Sequence, residues 1–354
     1  MTAPIAFVTA EWPESGHRAL RELGYEVRAG GWGVTGRALD TAELVAAAAG
    51  AAVLIVEVER VDDEVLDGLP DVQVVCTARG TPSNVDIEAC TRRRIALLNT
   101  PARNADSVAD FTMGLILSCA RGISAGERHL RDSGWLVGDQ VPYLHFRGPE
   151  LYGRTLGLVG FGEVGKRVAT RAERGFGMRV VHHDPYQTGG VDLPTLLRTS
   201  DVVSLHCARS EQTRHLIDGA ALSLMKPTSI LVNTAGGDMV DPVALVAALT
   251  GNRLAGAALD VYPEEPLPAD SALLGTERLI LTPHLAGAAQ DVAEHHTEMI
   301  CDDLALLATG DQPMHCVNAE GVLPIVPPGD FAVMRGTQDF IEGMASSELA
   351  PVAQ

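Results

Sequence analysis

The sequence predicts an α/β protein with two parallel-sheet domains, and three observations lead to this prediction. Short apolar segments alternate with helical segments along most of the chain, without the paired strands and tight turns of hairpins. Residues 154–184 have the order apolar strand, glycine-rich turn, amphipathic helix and apolar strand, which is typical of a βαβ unit. The length of 354 residues, of which 46% are hydrophobic, is enough for two domains of ordinary size.

The alternation can be followed in chain order. The predicted strands cover residues 5–9, 26–28, 53–56, 72–76, 95–98, 156–159, 179–183, 202–206, 230–233, 256–259 and 279–282. The predicted helices cover residues 14–23, 41–49, 104–121, 193–199, 220–224, 242–249 and 291–308, besides the helix of the βαβ unit. Thr41, with Glu43 in the first turn, indicates one helix start. Residues 30–36 are predicted to form a loop, and residues 122–150 an irregular arm or flap.

The glycine-rich turn after the strand at 156–159 predicts a dinucleotide site. Gly160, Gly162 and Gly165 form a G-x-G-x-x-G pattern where a helix begins. The first glycine permits the tight turn, the second lets the backbone approach a pyrophosphate, and the third lets the helix pack closely on the strand. The helix N-terminus presents free N–H groups to the anion. The expected cofactor contacts from this turn are Gly160, Phe161, Gly162, Glu163, Val164 and Gly165.

The second strand of the βαβ unit ends at an acidic residue. Asp184 lies nineteen positions after Gly165, which suits a carboxylate that accepts hydrogen bonds from the adenosine ribose hydroxyls. A 2′-phosphate at this place would meet a like charge. The predicted cofactor is therefore NAD and not NADP, although Arg167, Arg171 or His182 could weaken that preference.

The composition of the sequence argues against several other classes of protein. The net charge of −19 disfavours nucleic-acid binding, which requires clustered Lys and Arg. No apolar run reaches eighteen residues, and the N-terminus has no basic region before an apolar one, so neither membrane insertion nor export is expected. The six cysteines are scattered, which predicts reduced thiols in the cytoplasm and no metal site.

A polar loop at residues 77–86, TARGTPSNVD, follows a predicted parallel strand. Open α/β sheets place ligand-contacting groups at this end of their strands. Arg79 is the only cation of the loop, and from this segment alone a ligand contact and a solvated surface arginine are equally good interpretations.

Several ordered motifs identify the chain as similar to the NAD-dependent D-2-hydroxyacid dehydrogenases. The motifs are NTPARNADSVAD at 99–110, the glycine turn, SLHC at 204–207, VNTAGG at 232–237, LDVYPEEP at 259–266 and LTPHLAG at 281–287. The resemblance covers roughly residues 72–318. It implies two Rossmann-like doubly wound parallel-sheet domains, with the NAD-binding domain (105–287) inserted into a split substrate domain (1–104 and 288–317). Residues 318–354 are then a C-terminal tail.

The resemblance also implies the catalytic residues. His284 is expected to be the general acid/base and Glu265 its partner; Glu264 is the adjacent alternative, but the family places the acid directly before proline. An imidazole suits proton transfer to and from a substrate oxygen, and a carboxylate on its other nitrogen selects the tautomer. Substrate contacts are expected at Arg79, Gly80 and Thr81. Further cofactor contacts are expected at Val108, Asp184, His206, Cys207, Thr213, Thr234, Ala235 and Asp260.

One residue departs from the family pattern. The family strand ends like VNTARG, and its arginine binds the substrate carboxylate, whereas this chain has Gly236. The enzyme could be impaired, a cation such as Arg79, Arg103 or Arg209 could take over, or the substrate could lack the usual α-carboxylate.

The resemblance therefore predicts an NAD-dependent dehydrogenase that acts on a small anionic hydroxy or oxo acid, as a cytoplasmic homodimer. Two alternatives remain open. One is a dehydrogenase for an unusual substrate such as a hydroxyalkylphosphonate, and the other is a non-catalytic NAD-binding regulatory protein.

Overall fold

A computed structural model describes residues 3–322. The chain divides into two compact units, one made of Met1–Arg103 and the chain from Ala293 onward, the other of Asn104–Val292. Each unit has its own sheet, and every strand pair within these sheets is parallel. The prediction of two parallel-sheet α/β domains is thereby confirmed.

The first unit, called here unit 1, is a five-stranded sheet of order β2-β1-β3-β4-β5. Its strands are β1 (Ile5–Val8), β2 (Glu26–Ala29), β3 (Ala51–Val56), β4 (Val74–Thr77) and β5 (Ala96–Leu98). Its helices are α1 (Glu14–Glu22), α2 (Trp32–Thr35), α3 (Thr41–Ala47), α4 (Asp63–Gly68), α5 (Ile87–Arg92), α12 (Asp291–Thr309), which begins just before the boundary, and α13 (Ala319–Val322). The central strands β3 and β4 are almost wholly buried because helices cover both faces.

The second unit, called here unit 2, is a six-stranded sheet of order β11-β10-β9-β8-β6-β7. Its strands are β6 (Thr155–Val159), β7 (Arg179–His183), β8 (Val202–Leu205), β9 (Ile230–Asn233), β10 (Gly256–Leu259) and β11 (Leu279–Leu281). Its helices are α6 (Ala105–Arg121), α7 (Ile123–Ser133), α8 (Glu163–Phe176), α9 (Leu193–Thr199), α10 (Gly219–Leu224) and α11 (Pro242–Thr250). The strand order reverses between β6 and β8, which is where such sheets bind ligands.

Helices α6 and α8 pack together in unit 2 through apolar side chains and ion pairs. Arg167 binds Asp106 at 2.9 Å, and Arg171 binds both Asp106 and Asp110. Ala109, Met113 and Ile116 of α6 join the buried cluster that also contains Val168 and Ala172 of α8. Helix α8, which follows the glycine turn, is therefore held in place by contacts with α6, a helix outside the βαβ unit.

The structure corrects several predicted elements. Residues 30–36 contain the short helix α2, and the predicted irregular arm at 122–150 contains α7. Helix α3 is capped by Asp40, whose side chain accepts from Glu43 N–H, and not by Thr41. Helices α4 and α5 were not predicted, because each is only six residues long and has too few apolar positions to show a period.

The predicted tail does not begin at residue 318. Asn318 is buried, and its amide group donates to Ile95 O at 2.9 Å while its Oδ1 accepts from Leu97 N–H at 2.9 Å. These bonds attach the chain to β5, and α13 follows. Residues 323–354 of the predicted tail lie outside the described residues.

Among residues 3–322, no single helix is long and apolar enough to cross a membrane. The pair α6 and α7 reaches the required length and composition together, but it is bent by 61°.

Candidate active site

The turn after β6 has the shape that its glycines predict. Gly160 has φ +95°, and a Cβ at this position would overlap the backbone of His206 and Cys207. A Cβ on Gly165 would lie 2.5 Å from Gly160 O, so this glycine lets α8 approach the turn. A Cβ on Gly162 would meet no protein atom within 4 Å. The first and third glycines therefore serve the fold, and the second, between Phe161 and Glu163, leaves open space at the helix N-terminus.

Asp184, directly after β7, is tied to this turn. Its Oδ2 accepts from Phe161 N–H at 2.7 Å and its Oδ1 from Tyr186 N–H at 2.8 Å. Burial tends to raise the pKa of Asp184, but these two hydrogen bonds outweigh it and the pKa is lowered. The ring of Phe161 also stacks on His182, with ring centroids 4.0 Å apart. A negative charge is thus held beside the glycine turn.

His206 and Cys207 follow β8 and line the other side of the turn. Burial lowers the pKa of His206 to about 3, and the Nε2 atom lies 2.9 Å from Ser204 Oγ. Burial also raises the pKa of Cys207. Both side chains are therefore neutral near pH 7. Thr213, farther along the same loop, accepts from Ser210 N–H at 2.8 Å and donates to Ala208 O at 2.9 Å.

The lowered pKa of the partly buried His206 predicts a loss of stability in mild acid. Its folded pKa of about 3 lies below the unfolded value of about 6.5, so the unfolded chain binds more protons as the pH falls through that window. We expect this residue alone to remove about 2 kcal/mol of unfolding free energy between pH 7.5 and pH 5. Denaturation of His206→Gln should show a smaller change over this range. The exposed residue His145, changed to Gln, is the control; equal pH dependence in all three proteins would contradict the assignment.

Strand β9 ends in a loop that its own asparagine organises. The Asn233 side chain accepts from Ala235 N–H at 3.0 Å and donates to Gly236 O at 2.8 Å. Thr234 is held on α6 by a 3.0 Å hydrogen bond to Thr112. The role of Asn233 was missed at the sequence level, although an Asn directly before small loop residues is a recognisable signal.

His284 and Glu265 lie together after β11 and β10. The Nδ1 atom of His284 is 2.7 Å from Glu265 Oε2, and Glu265 Oε1 accepts from Tyr262 N–H at 2.9 Å. The side chains of His284 and Glu265 are 62% and 38% exposed, so neither is buried. Burial tends to raise the pKa of Glu265, but the bonds from His284 and Tyr262 outweigh it, and the charge of Arg209 acts in the same direction, so the pKa is lowered.

His284 has an unusual backbone that Asp260 supports. Its φ is +55°, a left-handed conformation that is costly for a side chain other than glycine. The fully buried Asp260 accepts from Thr282 Oγ1 at 2.6 Å, from Leu285 N–H at 2.8 Å and from Ala286 N–H at 2.8 Å. These bonds use both carboxylate oxygens of Asp260, and their donors lie before and after His284 in the chain. The sequence suggested a cofactor contact for Asp260 but not this structural role.

Two of the three candidate cations, Arg79 and Arg103, belong to unit 1, and they differ in whether a carboxylate already binds the guanidinium. Arg103 pairs with Glu57 at 2.7 Å, both side chains being only 15% exposed, and also contacts His296 at 2.6 Å. Arg79, after β4, bonds Glu57 O and Ser83 Oγ, and in residues 3–322 it makes no ion pair. Gly80 and Thr81 continue this loop, and Gly80 O accepts from Asn99 Nδ2 at 2.7 Å.

The third candidate, Arg209, belongs to unit 2 and lies on the loop after His206 and Cys207. Its Nε donates to Asp238 Oδ2 at 3.0 Å, and its side chain is 67% exposed. Gly236 is extended, with φ −157°, so its backbone does not require glycine. A Cβ there would lie 2.9 Å from the flexible end of Met239.

The remaining candidate positions make structural contacts. Val108 is buried on α6. On α12, His295 Nδ1 lies 2.9 Å from Arg103 O and His296 Nε2 lies 2.7 Å from Glu11 O. Among residues 3–322, no group of three or more His, Cys, Asp or Glu side chains is arranged to hold a metal ion.

Comparisons with known proteins match a family of NAD-binding domains to residues that lie within unit 2. The family model for the D-isomer specific 2-hydroxyacid dehydrogenase NAD binding domain matches residues 113–286. A glyoxylate reductase from Korarchaeum cryptofilum is 37% identical over 280 residues, which cover 77% of this chain and 83% of that protein. An (S)-sulfolactate dehydrogenase from Chromohalobacter salexigens is 41% identical over 276 residues, covering 75% and 87%. A solved structure of a protein from Thermus thermophilus matches with a TM-score of 0.75 at 37% identity and covers 88% of this chain and 99% of its own.

Proposed function

Because the chain belongs to the D-isomer specific 2-hydroxyacid dehydrogenase family and is an NAD-dependent oxidoreductase acting on CH–OH groups, we propose that it interconverts a small 2-oxo acid and its 2-hydroxy acid, with His284 as acid/base. The observation that carries this assignment is the 2.7 Å contact between His284 Nδ1 and Glu265 Oε2. It directs Nδ1 to the carboxylate and leaves Nε2 for the substrate oxygen.

The proposed proton transfer follows from this pair. NADH, when bound in unit 2, would supply the hydride for the carbonyl carbon of the 2-oxo acid. His284, as imidazolium, would donate its Nε2 proton to the carbonyl oxygen, so that the 2-hydroxy acid forms, and the neutral ring would keep its Nδ1 proton, which donates a hydrogen bond to Glu265. The Glu265 carboxylate lies against Nδ1 and so keeps the ring oriented with Nε2 toward the substrate oxygen.

The residues around the glycine turn fit NAD. Gly162 leaves open space at the N-terminus of α8, and the carboxylate of Asp184 stands beside the turn. Arg167 and Arg171, the cations that could have favoured a 2′-phosphate, are engaged by Asp106 and Asp110. We therefore propose NAD over NADP. His206, Cys207, Thr213, Thr234, Ala235, Asp260 and Val108 are proposed to complete the cofactor site.

The substrate domain is proposed to be residues 1–104 and 288–317, and the NAD domain residues 105–287. Arg79, Gly80 and Thr81 are proposed to bind the substrate, since this loop follows β4 of a parallel sheet and Arg79 has no carboxylate partner among the described residues. A homodimer is proposed by family resemblance. All six cysteines are free, which supports a cytoplasmic location.

A second candidate substrate class has one specific observation in its favour. Gly236 removes the usual carboxylate-binding arginine, and one relative at 41% identity is named a sulfolactate dehydrogenase. An oxo acid or hydroxy acid with an additional or alternative anionic group, such as a sulfonate or phosphonate, is therefore the alternative. A regulatory role without turnover is not proposed, because the acid/base pair is assembled in the folded chain.

The test is NADH oxidation near pH 7 with glyoxylate, hydroxypyruvate, pyruvate, 3-sulfopyruvate and 3-phosphonopyruvate, and NAD reduction with the corresponding hydroxy acids. We expect turnover with at least one carboxylate-bearing oxo acid and a lower KM for NADH than for NADPH. Binding of NADH without turnover of any oxo acid in the panel would contradict the proposal.

A further inference from the structure

The loop after β8 and the loop after β9 carry a pair of opposite charges beside Gly236. Arg209 Nε donates to Asp238 Oδ2 at 3.0 Å, and Asp238 lies two residues after Gly236. The position from which the family arginine would extend is thus occupied by glycine, while a guanidinium from the neighbouring loop is bound next to it.

The two loops are held in register by backbone hydrogen bonds. His215 N–H donates to Asp238 O at 2.7 Å, Ile217 N–H to Met239 O at 2.9 Å, and Asp241 N–H to Ile217 O at 3.1 Å. Ile217 and Val240 also form an isolated parallel bridge. These bonds fix the backbone of Asp238, whose side chain is only 20% exposed, and so fix the position of the carboxylate that orients the more exposed Arg209.

The ion pair uses only part of the guanidinium. Asp238 binds Nε, whereas the two Nη groups of Arg209 have no hydrogen bond or ion pair within residues 3–322. Asp238 therefore orients the side chain and leaves donors of the planar fork free. A guanidinium oriented in this way can bind a carboxylate, sulfonate or phosphonate oxygen.

The same region is connected to the acid/base pair within unit 2. A Cβ on Gly237 would overlap the backbone of Tyr262, and Tyr262 N–H donates to Glu265 Oε1 at 2.9 Å. The loop that carries Gly236 is therefore in contact with the segment that holds the partner of His284. The charge of Arg209 also contributes to the lowered pKa of Glu265, which agrees with this proximity.

An unpaired carboxylate oxygen adds a reason for a cation here. Asp238 Oδ1 is buried without a hydrogen-bond partner in the described chain and lies 3.6 Å from the Cβ position of Gly236. Without Arg209, this negative charge would repel an anionic substrate near Gly236. Arg103 is not available to neutralise this negative charge, because Glu57 and His296 already bind it.

We propose that Arg209, oriented by Asp238, is a further substrate-anion-binding residue besides Arg79, and that it supplies in unit 2 the cation that is absent at Gly236. The proposal rests on the proposed 2-oxo acid function and deepens it, because it names a specificity-determining residue for that reaction. It places the new cation on a different loop from the family arginine.

Oxalate is the probe, because it is a small dicarboxylate similar to a 2-oxo acid and cannot be reduced by hydride transfer here. It would be titrated into the enzyme saturated with NADH, and the NADH fluorescence recorded. We expect Arg209→Gln to weaken oxalate binding by about 10- to 100-fold, the range for one charged hydrogen-bonding group, and to raise the substrate KM more than it lowers kcat. Arg209→Lys, which keeps the charge but loses the fork, should have an intermediate effect.

Two further variants separate this role from a general charge effect. Arg214→Gln removes the same charge from an exposed position on the same loop and should change oxalate affinity less than twofold. Adding Gly236→Arg to Arg209→Gln should recover part of the oxalate binding, because the Cβ at this position would come closer than 3.4 Å only to the end of the Met239 side chain. NADH affinity should stay within about twofold in every variant.

The outcomes distinguish two failures. Wild-type turnover together with unchanged oxalate affinity in Arg209→Gln overturns the Arg209 assignment alone. A loss of NADH affinity equal to the loss of oxalate affinity also overturns it, because Arg209 would then bind the cofactor. A wild-type enzyme that binds NADH but neither oxalate nor any 2-oxo acid overturns the proposed function and this inference with it.

Discussion

Replacement of His284 by Ala is expected to lower kcat for NADH-dependent reduction by about 10²- to 10⁴-fold, because general acid/base catalysis contributes a factor of this size. The variant keeps the bonds by which Asp260 holds the surrounding loop, since these involve the side chain of Thr282 and the backbone of Leu285 and Ala286. NADH affinity and thermal stability should therefore be nearly unchanged. Stopped-flow measurement of hydride transfer with a single turnover would separate chemistry from product release.

Two further variants test whether the loss is specific. Glu265→Gln keeps the shape of the partner but removes its charge, so we expect a smaller loss of kcat than in His284→Ala, because a neutral amide orients the ring less firmly than a carboxylate does. His145→Ala, which changes an exposed histidine in the segment after α7, serves as the control and should have wild-type activity. Equal kcat values for His284→Ala and the wild type would contradict the assignment of His284 as the acid/base.

Replacement of Gly160 by Ala is expected to abolish NADH binding and to destabilise unit 2 by several kcal/mol. The φ of +95° is unfavourable for alanine, and the new Cβ would overlap the backbone of His206 and Cys207, which cannot move aside as a flexible side chain could. The measurements are the unfolding midpoint and NADH fluorescence titration of the purified protein.

Gly162→Ala is the matched comparison within the same turn. Its Cβ would meet no protein atom within 4 Å, and its backbone φ of −76° is ordinary for alanine. We expect stability close to that of the wild type but weaker NADH binding, because the methyl group would occupy the space proposed for the pyrophosphate. If both variants bind NADH normally, the turn is not the cofactor site.

Local sequence patterns were sufficient to predict much of the fold. The βαβ unit around Gly160 and the parallel strands follow from apolar runs and glycine spacing, which are local properties. Elements without a strong period were missed or misplaced. Helix α7 begins directly after Gly122, whose left-handed conformation ends α6, and it buries no side chain, so the segment lacked the apolar stripe that predicts a helix.

The residues of the candidate site likewise divide into those that local sequence motifs identify and those that only the folded structure reveals. His284, Glu265 and Asp184 could be singled out because they stand in recognisable motifs. The loop-holding bonds of Asp260, the enclosure of Gly236 by Asn233 and the pairing of Arg209 with Asp238 could not, since each joins residues whose proximity depends on how separate loops are folded.

The sequence by itself determined the fold class, the family, the glycine turn and the acid/base candidates, because each is encoded in residues close together along the chain. Only the tertiary structure decided which arginines are already paired and which retain free donors. Arg103 and Arg209 are equally charged in the sequence, but Glu57 and His296 engage the first, while Asp238 binds the second through Nε alone. The physical reason is that the availability of a charge depends on its neighbours in space, and strands distant in sequence bring those neighbours together.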